Sequence, residues 1–192
     1  SIDTTIFAST GNAVDTADLT FQANGAAGGA GNNVRGIFAC GQNQSGTRQN
    51  IIQYYTFESA GDAVDFGDYS FDTGLTGSGC SSSTRSVISL GVSNASGSRV
   101  NNIEFITTST TGNSQDFGDL TTNRNGTGAF SNSTRGVWGG GETPNKANVI
   151  DYVTIATTGN AIDFGDMSYI RANANNDGAS SATRGVFSGG GS

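Results

Sequence analysis

The chain has 192 residues, with 16 acidic and nine basic side chains, 30 glycines, one proline and no histidine. A formal net charge of −7 leaves no basic footprint for a nucleic acid. The lack of histidine removes the usual general base and most transition-metal ligand sets, and no apolar run approaches the ~20 residues that cross a bilayer as a helix.

Two phrases recur in step along the chain. One is "VRGIFACG", "TRSVISLG", "TRGVWGGG" and "TRGVFSGG", whose arginines Arg35, Arg85, Arg135 and Arg184 are separated by 50, 50 and 49 residues. The other is "GNAVDTADL", "GDAVDFGDY", "GNSQDFGDL" and "GNAIDFGDM", beginning at Gly11, Gly61, Gly112 and Gly159. Two independent phrases with one period define four copies of a unit of about 50 residues, the signature of a repeat architecture.

In chain order, residues 1–20 carry the last two strands of a unit, and complete units follow at about 21–70, 71–121 and 122–168. Residues 169–192 carry the first two strands of a fourth. The third copy shows the pattern most plainly. "NRNGTGAF" reads as a glycine-rich inner strand and "RGVWGG" as a short strand ending in glycines. "VIDYVTIA" is a β-branched, aromatic, alternating strand; "TTGN" is a hairpin turn, and "AIDFGDM" returns. No segment shows an apolar i, i+3, i+4, i+7 run, so almost no helix is expected. The glycines recur beside Val, Ile and Phe at fixed repeat positions, which points to tight turns and close backbone packing. Bulk on the outer strands falls to Phe57, Phe66, Phe105, Phe117, Tyr152, Ile155 and Phe164.

Four short strands per unit is the pattern of a β-propeller blade. The expectation is one all-β domain over residues 1–192, a four-bladed propeller in which the N- and C-terminal strands pair to complete the fourth blade. Such pairing would lay Ile2–Phe7 beside Thr183–Gly189. The absence of an initiator methionine and of a leader pattern suggests a processed or excised chain.

"RGVWGGG", "VIDYVTI" and "IDFGDM" fall in the order of the kelch-type repeat, which the chain resembles. The outer-strand tryptophan of that family is replaced by Phe66, Phe117 and Phe164. The wording of the whole chain is also similar to repeats in structural proteins of marine bacteriophages, especially those of cyanobacteria. The resemblance implies a virion-surface or extracellular setting, with other virion or filament proteins as partners; no cofactor is expected.

The repeated arginine has two readings. Either four arginines ring a mouth and bind an acidic sugar, or each pairs with a repeated aspartate (Asp15, Asp65, Asp116 or Asp163) and staples neighbouring blades, since arginine forms oriented bonds to carboxylates. The staple is the expectation, with each arginine substantially buried against acidic or carbonyl oxygens. In "DFGD" two acids three residues apart are lean for calcium, and turn capping accounts for them; no metal is expected. Cys40 and Cys80 do not recur and read as free, half-buried thiols, while a disulfide would fit an oxidising compartment. Carboxylates distributed by repeat do not make a hydrolytic pair, and no enzyme activity is expected. The loops between the second and third strands vary most. Gln42, Arg48, Asn50, Asn94, Arg99, Asn145 and Lys146 are the candidate ligand residues there, suited to sugar hydroxyls. The functional expectation is a structural or adhesion module for assembly or host attachment. The alternative is a carbohydrate-binding propeller that recognises host glycans, with no nucleic acid and no membrane insertion in either case.

Overall fold

The structure is a computed structural model that describes residues 1–21, 28–59, 61–70, 77–93, 95–171 and 178–189, without the side chain of Cys40. Among the described residues there is no helix and there are seventeen strands. Among those residues no helix is long and apolar enough to cross a membrane. The glycine-punctuated, alternating sequence accounts for this: every apolar run is too short for a helix and is closed by a turn residue.

An N-terminal hairpin comes first, β1 (Ile2–Thr4) with β2 (Val14–Ala17). Sheet one follows: β3 (Gly28–Gly31), β4 (Arg35–Gln42), β5 (Arg48–Thr56) and β6 (Val64–Asp68). Sheet two is β7 (Ser78–Ser81), β8 (Arg85–Ser89), β9 (Asn102–Thr107) and β10 (Gln115–Asp119). Sheet three is β11 (Gly128–Ser131), β12 (Arg135–Gly139), β13 (Glu142–Thr143), β14 (Asn145–Thr154) and β15 (Ile162–Arg171). A C-terminal hairpin, β16 (Gly178–Ser180) with β17 (Gly185–Phe187), ends the described chain. Each full sheet is an antiparallel meander in chain order, with the two-residue β13 added as a flap on β14. The inner strand expected at "NRNGTGAF" is confined to its end, Gly128–Ser131, and β15 runs on to Arg171.

The register repeats with the sequence. Arg35 pairs across to Thr56, Arg85 to Thr107 and Arg135 to Thr154. In each fourth strand the register shifts at "DFGD", where Gly67, Gly118 and Gly165 sit at φ +146°, +141° and +130°. The motif is therefore a β-bulge that needs glycine at its positive-φ position.

The sheets stack through their inner strands: β3 packs along β7, β7 along β11 and β11 along β16. A Cβ at Gly79 would lie 2.6 Å from the Gly29 carbonyl oxygen, so the inner strands meet backbone to backbone. Three apolar clusters lie between successive units. The first joins Ile2 and Ala17 to Tyr55 and Ala63, and the second joins Ile37, Ile52 and Phe66 to Ile88 and Ile106. The third joins Val87, Ile103 and Phe117 to Val153 and Ile155.

The ends differ from the sequence expectation. β1 pairs with β2 and β17 with β16 as two separate two-stranded sheets, and no pairing joins β1 to β17 among the described residues. The expected outer bulk divides in the same way. Phe66, Phe117 and Ile155 are buried, while Phe164 and Phe57 are half exposed.

Candidate functional site

The joint between successive units has three recurring polar parts among the described residues; two of them occur at three joints and one at two. The first part is backbone. The turn before each fourth strand bonds to the fourth strand of the preceding unit. Gly112 N donates to Phe66 O at 2.8 Å, and Ser114 N to Asp68 O at 3.0 Å. Gly159 N donates to Phe117 O at 2.7 Å, and Ala161 N to Asp119 O at 2.8 Å. At the N-terminal hairpin, Ala63 N donates to Asp18 O at 2.8 Å. The returning bonds run from Asp18 N, Asp68 N and Asp119 N to the side chains of Asp62, Asn113 and Asn160. Gly67 and Gly118 allow this approach, since a Cβ at either would sit 2.5 Å from the Gly112 or Gly159 backbone.

The second part is the repeated arginine. Arg35 donates to Thr108 O of the next unit at 3.2 Å, and Arg85 donates to Ile155 O and Ala156 O at 3.1 and 3.0 Å. Each guanidinium lies over an aromatic ring of its own third strand: Arg35 over Tyr54 at 4.3 Å, Arg85 over Phe105 at 4.5 Å and Arg135 over Tyr152 at 4.7 Å. Of the acidic or carbonyl acceptors expected, carbonyls are found at Arg35 and Arg85 and the repeated aspartates at none. Asp15, Asp65, Asp116 and Asp163 are exposed, and none of the described ion pairs joins them to an arginine. Carbonyl oxygens and ring faces are the acceptors instead. Arg35 and Arg85 are partly buried; Arg135 and Arg184 are exposed.

The third part was not singled out from the sequence. A polar residue in the middle of each third strand accepts bonds from the hydroxyl residue that follows the preceding fourth strand. Gln53 Oε1 accepts from Thr20 N at 2.7 Å and Thr20 Oγ1 at 2.8 Å. Glu104, buried, accepts from Ser70 N and from the hydroxyls of Ser70 and Ser114. Asp151 accepts from Thr121 N at 3.0 Å and Thr121 Oγ1 at 2.7 Å. At this last joint a full ion pair is buried. Arg124 reaches Asp151 at 2.9 Å, with both side chains out of solvent, and also donates to Val149 O and Trp138 O. Burial lowers the Arg124 pKa and the Asp151 charge opposes that shift.

The candidate loop residues are largely engaged within the chain. Arg48 donates to Ser93 O at 3.2 Å. Arg99 bonds Asn125 Oδ1 at 2.7 Å and Glu142 Oε2 at 2.8 Å. Asn50 donates to Tyr69 O. Gln42 faces Arg48 in the β4–β5 register, Lys146 faces Glu142 and Asn145 faces Thr143. Asn94 lies outside the described residues. The structure therefore gathers Arg48 and Arg99 into bridges between units, not into one common site.

No metal-ligating cluster of three or more His, Cys, Asp or Glu occurs among the described residues. Cys80 is free and buried, and burial pushes its thiol well above the ordinary range. The turns 31–33, 81–83, 131–133 and 180–182, one from each unit, border a single open depression of about 600 Å³ lined by Ser, Asn, Gly and Ala. No protein-family model matches the chain, and no curated protein matches it.

Proposed function

We propose that the chain is a non-enzymatic structural or adhesion module of a virion or extracellular appendage, built as a four-bladed kelch-like β-propeller. The observation that carries this reading is the threefold joint. At each of the three joints, turn amides and a side-chain latch hold one unit to the next, and such a device serves rigidity, not turnover. The depression bordered by four equivalent turns supports a ring of units about one axis, as does the packing of each inner strand on the next. The resemblance to phage structural repeats supplies the setting, with other virion or filament proteins as partners.

The test is immunogold labelling of purified virions and appendages with an antibody raised against the chain. Labelling of the particle surface is expected, and label confined to soluble cell contents would overturn the reading. The depression, lined by hydroxyl and amide side chains, favours one second reading, a glycan-binding propeller. Saturable hits on a glycan array that vanish when Asn33, Ser83 and Ser133 are replaced by alanine would move the function to that class.

A further inference from the structure

Several large exposed apolar side chains stand at positions that are buried in other copies of the repeat. Phe66 and Phe117 are 3% and 2% exposed, but their counterpart Phe164 is 56% exposed. Ile155 is buried, while Phe7, its counterpart in the N-terminal hairpin, is fully exposed. Arg35 and Arg85 have carbonyl acceptors in the next unit, whereas the Arg135 guanidinium has none among the described residues. Gly67 and Gly118 are pressed against the next turn; their counterpart Gly165 has nothing within 4 Å.

A cavity of about 320 Å³ lies between sheet three and the C-terminal hairpin, lined by Phe130, Val137, Ile150 and Phe164, with Arg135 and Arg184 also on its wall. The first four are the repeat counterparts of Cys80, Val87, Ile103 and Phe117. Those residues form the cluster that receives Val153 and Ile155 at the preceding joint. The cavity is thus the same socket one unit further on, and the residues that correspond to Val153 and Ile155 are Thr5 and Phe7.

We propose that the N-terminal hairpin of the same chain docks in this socket. Phe7 fills it, and β1 pairs with β17 in the register Arg184 with Ile6, Gly185 with Thr5, Val186 with Thr4 and Phe187 with Asp3. Arg135 then donates to the carbonyls of Phe7 and Ala8, and Ser168 bonds Asp3 as Thr121 bonds Asp151. Gly11 N meets Phe164 O as Gly159 N meets Phe117 O. The occupant is the chain's own hairpin, because that hairpin already holds the position preceding sheet one through Asp18 and Ala17. The turns of the first and last units also border one depression. This inference rests on the propeller reading and specifies how the ring closes.

Paired cysteines test it in a Cys40→Ser chain. The in-register variants are Thr4→Cys with Val186→Cys and Asp3→Cys with Phe187→Cys. One of two adjacent antiparallel pairs is the close, non-hydrogen-bonded kind that suits a disulfide. The off-register control is Thr4→Cys with Gly185→Cys. Under mild oxidation, an intramolecular disulfide in an in-register monomer is the expected result, read by non-reducing electrophoresis and peptide mass mapping. Cross-linking through the control alone would overturn the register and leave the ring standing. Disulfides found only between chains would show the hairpin docking on a second copy and would overturn both. No disulfide in any variant would do the same. A second measurement avoids introduced thiols: Gly165→Ala should lower the melting temperature as much as Gly118→Ala. A clearly smaller drop would refute docking.

Discussion

Replacing Asp151 with alanine removes both the latch to Thr121 and the buried ion pair with Arg124 that supports it. Asp151 and Arg124 are both fully buried, and the carboxylate also accepts the amide and hydroxyl of Thr121. The substitution leaves the guanidinium with two carbonyl contacts at 3.3 and 3.4 Å. It also strips Thr121 of its acceptor. Breaking one side of a buried pair costs about 3–5 kcal/mol, because an uncompensated charge stays behind. That is a large share of the roughly 5–15 kcal/mol that stabilises a typical domain. For a chain of this size about 4 kcal/mol corresponds to a fall in melting temperature of about 8–16 °C. Calorimetry or circular dichroism reads the shift directly. The double variant Arg124→Met with Asp151→Leu should recover most of the loss, since an apolar pair removes both charges together. If Asp151→Ala melts within about 2 °C of the parent, the buried pair does not hold this joint and the argument fails.

Gly118→Ala should destabilise the chain strongly, because the φ of +141° and the Gly159 backbone 2.5 Å away leave no room for a Cβ; a thermal melt reads it. Gly136→Ala would drive a methyl into the Cys80 sulfur, and Cys80→Ala should rescue it in a double-mutant cycle. Arg85→Ala should cost about 1–3 kcal/mol, as its partners are two carbonyls and a ring face and not a buried carboxylate; chemical denaturation measures it. Burial keeps the Cys80 thiol protonated in the folded chain, while an unfolded cysteine ionises near pH 8.5. The folded state then binds more protons above that pH, so stability should fall as pH rises, by at most about 1.4 kcal/mol per unit. Cys80→Ala should lack this contribution, which appears as a difference in slope between pH 8 and 10.

The period, the strands of each unit and the importance of the arginine were legible because they depend on side-chain pattern. The acceptors of Arg35 and Arg85 were not, since a backbone carbonyl leaves no trace in sequence. The latch formed by Gln53, Glu104 and Asp151 did leave a signal: a polar residue in the middle of an otherwise apolar third strand, in register with a Ser or Thr after each fourth strand. Its identity changes from copy to copy, so a comparison that rewards identical residues passes over it. "DFGD" was read as turn capping by its acids, yet its glycine carries the structural demand. The acid side chain has a visible capping role at Asp163, whose Oδ1 accepts from Gly165 N. Arg48 and Arg99 read as candidate ligand residues because their acceptors, Ser93 and Glu142, belong to the following loop.

The stacked inner strands carry a further consequence. The Cys80 side chain occupies the space that a Cβ at Gly136 would take, and the Phe130 ring does the same at Gly185. At the corresponding positions between the first two sheets stand Ala30 and Ser86. The size of one inner-strand residue is matched to the vacancy left in the unit that follows it: small beside Ser86, larger beside the glycines. Near-identical repeats risk assembling in the wrong order as they fold. Here a Phe130 strand offered to the Ser86 position would collide, whereas its proper neighbour admits it. That one position thus disfavours a wrong neighbour for sheet three.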